Sequence, residues 1–289
     1  MRDNDGYDWE VMLVNDGSTD DTLKIIKSLA DRDSRVQYVD LSRNFGKEAA
    51  MLAGMDYAHG DCVIEVDADL QFPPDVIPAM LERWEHGYAD VYGRYTSRTS
   101  ESVARRLLTR LFYRMLRAAS RFEVVPGVGD FRLLDRKCVD ALRSLREQQR
   151  YTKGLYDWIG FSKSEVTFDK AERVAGRSKY SLRELFALAF DGLTSFTTAP
   201  LRIAIVGGVA ISLGAFLYML YFLIKTLIYN DPAQGFPTLI VVMLFLGGVQ
   251  LLSLGIIGEY VGKIFNETKN RPVYFVNGSS TTPHDTTTR

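Results

Sequence analysis

The sequence predicts an α/β domain with a largely parallel sheet, followed by a two-helix membrane hairpin. Short apolar runs alternate with amphipathic stretches over the first 85 residues, and two of the runs lead into carboxylates, at Asn15-Asp16-Gly17-Ser18 and at Asp67-Ala68-Asp69. Those observations predict the domain. The hairpin is predicted by residues 203–224 and 236–257, neither of which contains a charge. Each run is about 22 residues, which at about 1.5 Å per helical residue gives about 33 Å, enough to cross a bilayer core. The whole-chain averages, 46% hydrophobic and 25% charged with a net charge of -1 over 289 residues, blend these opposed parts. The hairpin excludes a purely soluble chain, and the lack of a comparable run before it excludes a polytopic transporter.

The elements follow in order. Residues 10–14 (Glu10-Val11-Met12-Leu13-Val14) form a short buried strand that enters the turn Asn15-Asp16-Gly17-Ser18. Ser18, with Asp21 three residues on, is the expected N-cap of a helix through about Ala30, because Leu23, Ile26 and Leu29 then share one side. Residues 35–41 read as the next strand, 47–59 as a helix, and 62–66 as a strand ending at Asp67. Pro73 and Pro74 stop that element, and 76–85 resumes as helix. In sheets built this way ligands bind beyond the carboxyl ends of the strands, where Asp16 and Asp67 both stand.

Between residues 102 and 122 the chain turns basic. Arg106, Arg110, Arg114, Arg117 and Arg121 keep helical spacing, while Leu107, Leu108, Leu111, Phe112, Met115 and Leu116 occupy the other side. An interfacial helix on anionic lipid fits a chain that ends in a membrane hairpin; a solvated basic face on a core helix and a nucleic-acid-binding helix are the other readings, the last disfavoured by the rich apolar face. Ser181 and Glu184 form a second capping box, and the stripe Leu182, Leu185, Phe186, Ala189, Leu193 and Phe196 leads to Pro200 and the first span. Arg177, Lys179, Arg183 and Arg202 precede the first span and Lys263, Lys269 and Arg271 follow the second, so the positive-inside rule places both termini in the cytoplasm. The tail 277–289, rich in Ser and Thr, is expected to be disordered. Residues 1–10 are polar and acidic, unlike a cleaved leader, and Cys62 and Cys138 read as two free thiols of a cytosolic domain.

Asp67-Ala68-Asp69, with Gln71 beyond it, offers hard oxygen ligands suited to Mg²⁺ or Mn²⁺. Taken alone an Asp-x-Asp is a weak signal, since acidic pairs are common in turns; its strand-end position and the second acidic turn at Asp16 strengthen it. His59, His86 and His284 are scattered and predict no zinc, Gly127-Val128-Gly129 lacks the third glycine of a dinucleotide fingerprint, and no Walker lysine motif is present.

Four segments in this order, Val14-Asn15-Asp16-Gly17-Ser18-Thr19-Asp20, Arg43-Asn44-Phe45-Gly46-Lys47, Asp67-Ala68-Asp69-Leu70-Gln71-Phe72-Pro73-Pro74-Asp75 and Gly129-Asp130-Phe131-Arg132-Leu133-Leu134-Asp135-Arg136, followed by two spans, resemble the polyprenyl-phosphate glycosyltransferases of glycosyltransferase family 2. The resemblance covers about residues 8 to 276 and is closest to the bactoprenol glucosyl group. It implies a GT-A, Rossmann-like fold and transfer of one sugar, with inversion, from a nucleotide diphosphate sugar to a polyprenyl phosphate such as undecaprenyl phosphate. UDP-glucose is the expected donor. Carried over by motif, Asp16, Ser18, Lys47 and Asp67 form the donor and nucleotide site, and Asp69 and Gln71 hold the metal. Asp130 and Arg132 are the catalytic pair beside the sugar and acceptor phosphate, and Arg173, Arg177 and Lys179 are the basic loop over the phosphates. For that loop a solvated juxtamembrane charge run is the competing reading.

The resemblance divides the chain into a catalytic domain at 1–180 containing the interfacial helix, a juxtamembrane amphipathic helix at 181–200, a transmembrane hairpin at 201–265 and a cytoplasmic tail at 266–289. It implies an integral protein of the inner or plasma membrane that takes no nucleic acid. Gly207-Gly208 and Gly247-Gly248 permit the close helix packing of a homo-oligomer. One departure stands out. Family members begin with a strand carrying a Val-Pro-x-Tyr-Asn-Glu type motif and a helix, whereas nine residues precede Glu10 here, so the first βα unit is expected to be missing and the neighbouring strand edges exposed. That truncation leaves a noncatalytic remnant or membrane assembly partner as the alternative function. A processive polysaccharide synthase is disfavoured, because Glu147-Gln148-Gln149-Arg150-Tyr151 only loosely resembles Gln-x-x-Arg-Trp.

Overall fold

The computed structural model describes residues 6–68, 72–95, 128–168, 199–229 and 235–284. The chain divides into two compact units, Met1–Leu185 together with Arg271–Arg289, and Phe186–Asn270.

In the first unit the order is β1 (Val11–Asn15), α1 (Thr22–Arg32), β2 (Val36–Leu41), α2 (Lys47–Tyr57), β3 (Cys62–Glu65), a 3₁₀ turn at Pro74–Val76, α3 (Ile77–Glu85), β4 (Asp90–Tyr95), β5 (Val128–Asp135), α4 (Arg136–Ser144), α5 (Thr152–Trp158) and β6 (Lys163–Phe168). The N-cap of α1 is Asp21, three residues beyond the expected Ser18; its side chain makes no capping bond, and Asp20 instead accepts the Thr22 N–H at 3.0 Å. Both thiols are free, and burial pushes Cys62 up to about 11 and Cys138 up to about 12.

The sheet is mixed rather than largely parallel. Strand β1 pairs parallel with β2 and β4 parallel with β6, but β5 runs antiparallel between β3 and β4. The alternation that predicts parallel pairing ends near residue 90, and β5, the antiparallel strand, belongs to the stretch beyond it. Among the described residues the strands form two sheets, β1-β2 extended by the C-terminal strand β7 (Val276–Ser279), and β3-β5-β4-β6, with no strand joining β1 to β3. Each sheet has its own apolar cluster: Val39, Leu41, Ala53 and Tyr57 on the first, and Met80, Leu81, Val91, Phe131, Leu133 and Phe168 on the second. Phe131 stacks on Phe72 at 4.9 Å between centroids and meets Phe168 edge-on at 5.7 Å, which rigidifies the strand carrying Asp130.

The seventh strand corrects the expectation of a disordered tail. β7 (Val276–Ser279) adds antiparallel to β2, opposite Val39, Asp40 and Leu41. Ser42 donates its N–H to the Phe275 carbonyl at 2.9 Å, and Ser280 donates to the Tyr38 carbonyl at 3.1 Å. A Ser/Thr-rich segment cannot bury a core of its own, but a strand added to an existing edge needs chiefly backbone partners, and β2 supplies them.

The second unit holds α6 (Ala199–Tyr229) and α7 (Phe236–Thr268), both long and apolar enough by length and composition to cross a membrane. The expected spans lie within them. After α7 the chain turns at Asn270, whose φ of +46° is tolerated by asparagine and whose N–H bonds the Glu267 carbonyl at 3.0 Å.

Candidate active site

Two loops make the first part of the site. Asp16, at the end of β1, accepts the backbone N–H groups of Phe45 at 2.7 Å and Gly46 at 2.9 Å, one on each carboxylate oxygen. Gly17 carries a φ of +65°, and a Cβ there would stand 2.3 Å from the Asn44 nitrogen and 2.4 Å from the Arg43 carbonyl carbon. The β1–α1 and β2–α2 loops therefore meet backbone to backbone, and only glycine fits between them. Asn15, at the root of the first loop, is 2% exposed; its Oδ1 accepts the Ser18 N–H at 3.4 Å and its Nδ2 donates to Asp40 at 2.7 Å.

The charged centre is formed by residues remote in sequence. Lys47, the first residue of α2, reaches Asp67 beyond β3 at 2.7 Å and Asp130 on β5 at 2.6 Å. Lys153 of α5 approaches Asp130 from the other side at 3.7 Å. Burial pushes the Lys47 ammonium down, but the bonds from Asp130 and Asp67 outweigh it and leave the group above its ordinary value. Two ammonium groups thus flank one carboxylate in a partly open position, which suits phosphate oxygens on the cationic side and a sugar hydroxyl on the anionic side.

Beneath the centre lies a buried network. Arg132 pairs with Asp90 at 2.6 Å and stacks over Tyr156 at 4.1 Å, with its side chain 6% exposed. Arg132, expected beside the acceptor phosphate, is held by Asp90 on the adjacent strand. Glu65, paired with Arg132 across β3 and β5, accepts the Tyr156 hydroxyl, while its Oε1 is buried without a partner among the described residues. Burial pushes the Glu65 carboxyl up to about 8, against the opposing bond from Tyr156.

A carboxyl raised in this way binds its proton more tightly in the folded chain than in the unfolded one. Its favourable contribution is full below its ordinary value of 4.5 and is lost as pH rises towards about 8. Glu65→Gln, which keeps the acceptor for Tyr156 and cannot ionise, is expected to unfold at nearly the wild-type temperature at pH 5. Its advantage should grow to on the order of 3 kcal/mol by pH 8 and then level off. Thermal unfolding of both chains across that range checks it.

Of the expected residues, the structure brings Lys47, Asp67 and Asp130 into contact, places Asp16 as a clamp between loops, and leaves Ser18 exposed at the loop rim. Asp69, Gln71, Arg173, Arg177 and Lys179 lie outside the described residues, as do the interfacial helix at 102–122 and most of the juxtamembrane helix at 181–200. Among the described residues no group of three or more His, Cys, Asp or Glu side chains is placed to hold a metal. Arg150, from the segment compared with Gln-x-x-Arg-Trp, is structural: buried at 8% exposure, it donates to the carbonyls of Leu142 and Leu145 at the end of α4. Lys153, Glu65 and Asp40 were not legible as site residues, because each acts on a partner at least 23 positions away.

Comparison with known proteins extends over nearly the whole chain. The model "Glycosyl transferase family 2" matches residues 1–143 and "GtrB C-terminal hairpin" matches residues 199–264. CsbB of Bacillus subtilis, described as a glycosyltransferase, is 46% identical over 270 residues, covering 93% of this chain and 82% of that one. An uncharacterized glycosyltransferase of Synechocystis is 41% identical over 93% of this chain and 84% of its own length. The prophage-derived bactoprenol glucosyl transferase of Shigella flexneri is 41% identical over 94% of this chain and 88% of its own.

Proposed function

We propose that this chain, a glycosyltransferase that belongs to glycosyl transferase family 2, moves one glucosyl group from UDP-glucose to the phosphate of undecaprenyl phosphate at the cytoplasmic face of the membrane. Its mixed α/β, GT-A-like fold continues into the C-terminal hairpin, whose two apolar helices fit membrane association. The observation that carries the proposal is the Lys47–Asp67–Asp130–Lys153 centre, in which two cations and two carboxylates converge from α2, β3, β5 and α5.

The chemistry needs charge management more than proton transfer. A phosphate monoester has its second pKa near about 6, so at neutral pH the acceptor is already an anionic nucleophile. One of its oxygens forms a bond to the anomeric carbon, the bond from that carbon to the donor diphosphate breaks with inversion, and the diphosphate leaves with the electron pair; no proton has to move. Lys47 would meet the diphosphate and Lys153 would help to neutralise the incoming phosphate, with Arg173, Arg177 and Lys179 closing over both. Asp130 would orient the sugar between the two ammonium groups, and Arg132 with Asp90 holds its strand in place as a positioning pair. A Mg²⁺ or Mn²⁺ at Asp69 and Gln71, hard oxygen donors just beyond Asp67, would offset diphosphate charge when bound. Asp69→Ala is expected to abolish transfer and its dependence on added metal together; metal-dependent transfer that survives the change would refute the ligand assignment.

Among the described residues no strand joins β1 to β3, which favours the second reading, a noncatalytic assembly partner. Membranes carrying the chain, given labelled UDP-glucose with and without added undecaprenyl phosphate, separate the two. Label in the lipid extract that rises with the acceptor supports the enzyme, and label indistinguishable from control membranes supports the partner.

A further inference from the structure

We infer that the segment following the second apolar helix is part of the donor-site scaffold, with Asn277 acting as a positioning residue for the Asn15–Ser18 loop through Asp40. This rests on the reading of that loop as the donor site.

Two contacts run from the tail to the two donor loops. In the first, Asn277 Nδ2 donates to Asp40 Oδ2 at 2.9 Å, and Asp40 Oδ1 accepts Asn15 Nδ2 at 2.7 Å. Asn15 Oδ1 then takes the Ser18 N–H at 3.4 Å. Asp40 is 4% exposed and Asn15 2%, so water cannot substitute freely for the Asn15 amide, while Asn277 is itself exposed and covers the outer oxygen of Asp40. In the second, Phe275 approaches the Phe45 ring at 6.4 Å between centroids, and Phe45 is the residue whose N–H is held by Asp16. Asn15 needs a fixed side chain because its two ends have different tasks, one at the loop and one at Asp40. Asp40 supplies that fixity only while its second oxygen is held by Asn277.

The segment is anchored independently of this relay. The Tyr274 hydroxyl bonds Asp56, Arg143 donates to the His284 carbonyl, and His284 N–H bonds the Asp56 carbonyl at 2.8 Å. These bonds hold the strand on the domain, so that a change at Asn277 can alter the relay without releasing β7. Because only two residues separate Arg271 from the end of α7, the same segment is covalently continuous with the second apolar helix.

The test uses the full chain in membranes or micelles. Asn277→Asp sets a second carboxylate against Asp40. The double variant Asp40→Asn with Asn277→Asp restores both bonds with the roles exchanged: the new amide at position 40 accepts from Asn15 through its oxygen and donates to the new carboxylate at 277. In Asn277→Asp, hydrogen exchange of the amides at residues 15–18 is expected to accelerate about tenfold while exchange across α4 and β5 is unchanged. KM for UDP-glucose should rise about five- to tenfold with kcat within about twofold. The double variant should return both to near wild type. Unchanged exchange at 15–18, acceleration spread over the whole domain, or no recovery in the double variant would each overturn the inference. If the wild-type chain transfers no sugar, the proposed function falls, and the exchange measurement still decides the role of Asn277.

Discussion

Lys47→Ala is expected to reduce sugar transfer by about 10²–10³-fold, the loss typical of removing a preorganised charge from the reacting centre. Lys47 is the sole described bridge between Asp67 and Asp130, at 2.7 and 2.6 Å. Without it the two carboxylates would, on the proposed function, face the donor diphosphate with their charges uncompensated on that side. Lys153, 3.7 Å from the other oxygen of Asp130, offsets part of one carboxylate and none of Asp67. The loss should fall mainly on kcat, because the ammonium counters charge that grows on the leaving diphosphate. Lys47 is a half-exposed residue at a helix start, so thermal unfolding should change little. A variant within about threefold of wild-type activity would show that the ammonium does not serve the reaction.

The second large effect is structural. Gly17→Ala is expected to destabilise the domain by about 3 kcal/mol, a fall of roughly 6–12 °C in Tm for a domain of this size. The new methyl would lie 2.3 Å from the Asn44 nitrogen and 2.4 Å from the Arg43 carbonyl carbon, both backbone atoms that no rotamer change can move aside. The β1–α1 and β2–α2 loops must then separate, which also breaks the bonds from the Phe45 and Gly46 amides to Asp16. Gly87→Ala is the control: Gly87 has a φ of +92° but nothing within 4 Å of a built Cβ, so only conformational strain opposes it. Its Tm should fall by about 2–4 °C. Equal losses in the two variants would mean that the close approach of the loops contributes nothing.

Much of the scaffold was legible because it is local. The run Val11–Asn15, the helix Lys47–Tyr57 and the strand Cys62–Glu65 lie within two residues of where apolar periodicity puts them, and the carboxylates at strand ends mark the face where the site forms. The two apolar helices follow from hydropathy alone. Local reasoning failed where the outcome depends on a distant partner. The Ser18 capping box has the right spacing, but the Asn15 side chain and the backbone contact at Gly17 hold Ser18 in the loop, and the helix waits until Thr22. The family resemblance implies a place for Arg132 beside the acceptor phosphate, and its buried pairing with Asp90 on the adjacent strand carries no local signal. The tail reads as disordered by composition, since composition cannot register the free edge of β2 that orders it. Lys153 and Asn277 carry no local pattern, and their importance appears only when α5 meets β5 and β7 meets β2.

The central claim is transfer of one sugar to a lipid phosphate, and the product itself tests it most directly. The purified chain in micelles, given UDP-glucose, Mg²⁺ and undecaprenyl phosphate, should yield a lipid that releases a single glucose on mild acid treatment. The anomeric configuration in the intact lipid should be β, opposite to that of the donor. A polymer on the lipid, retention of the α configuration, or UDP-glucose recovered unchanged beside free acceptor would contradict the account.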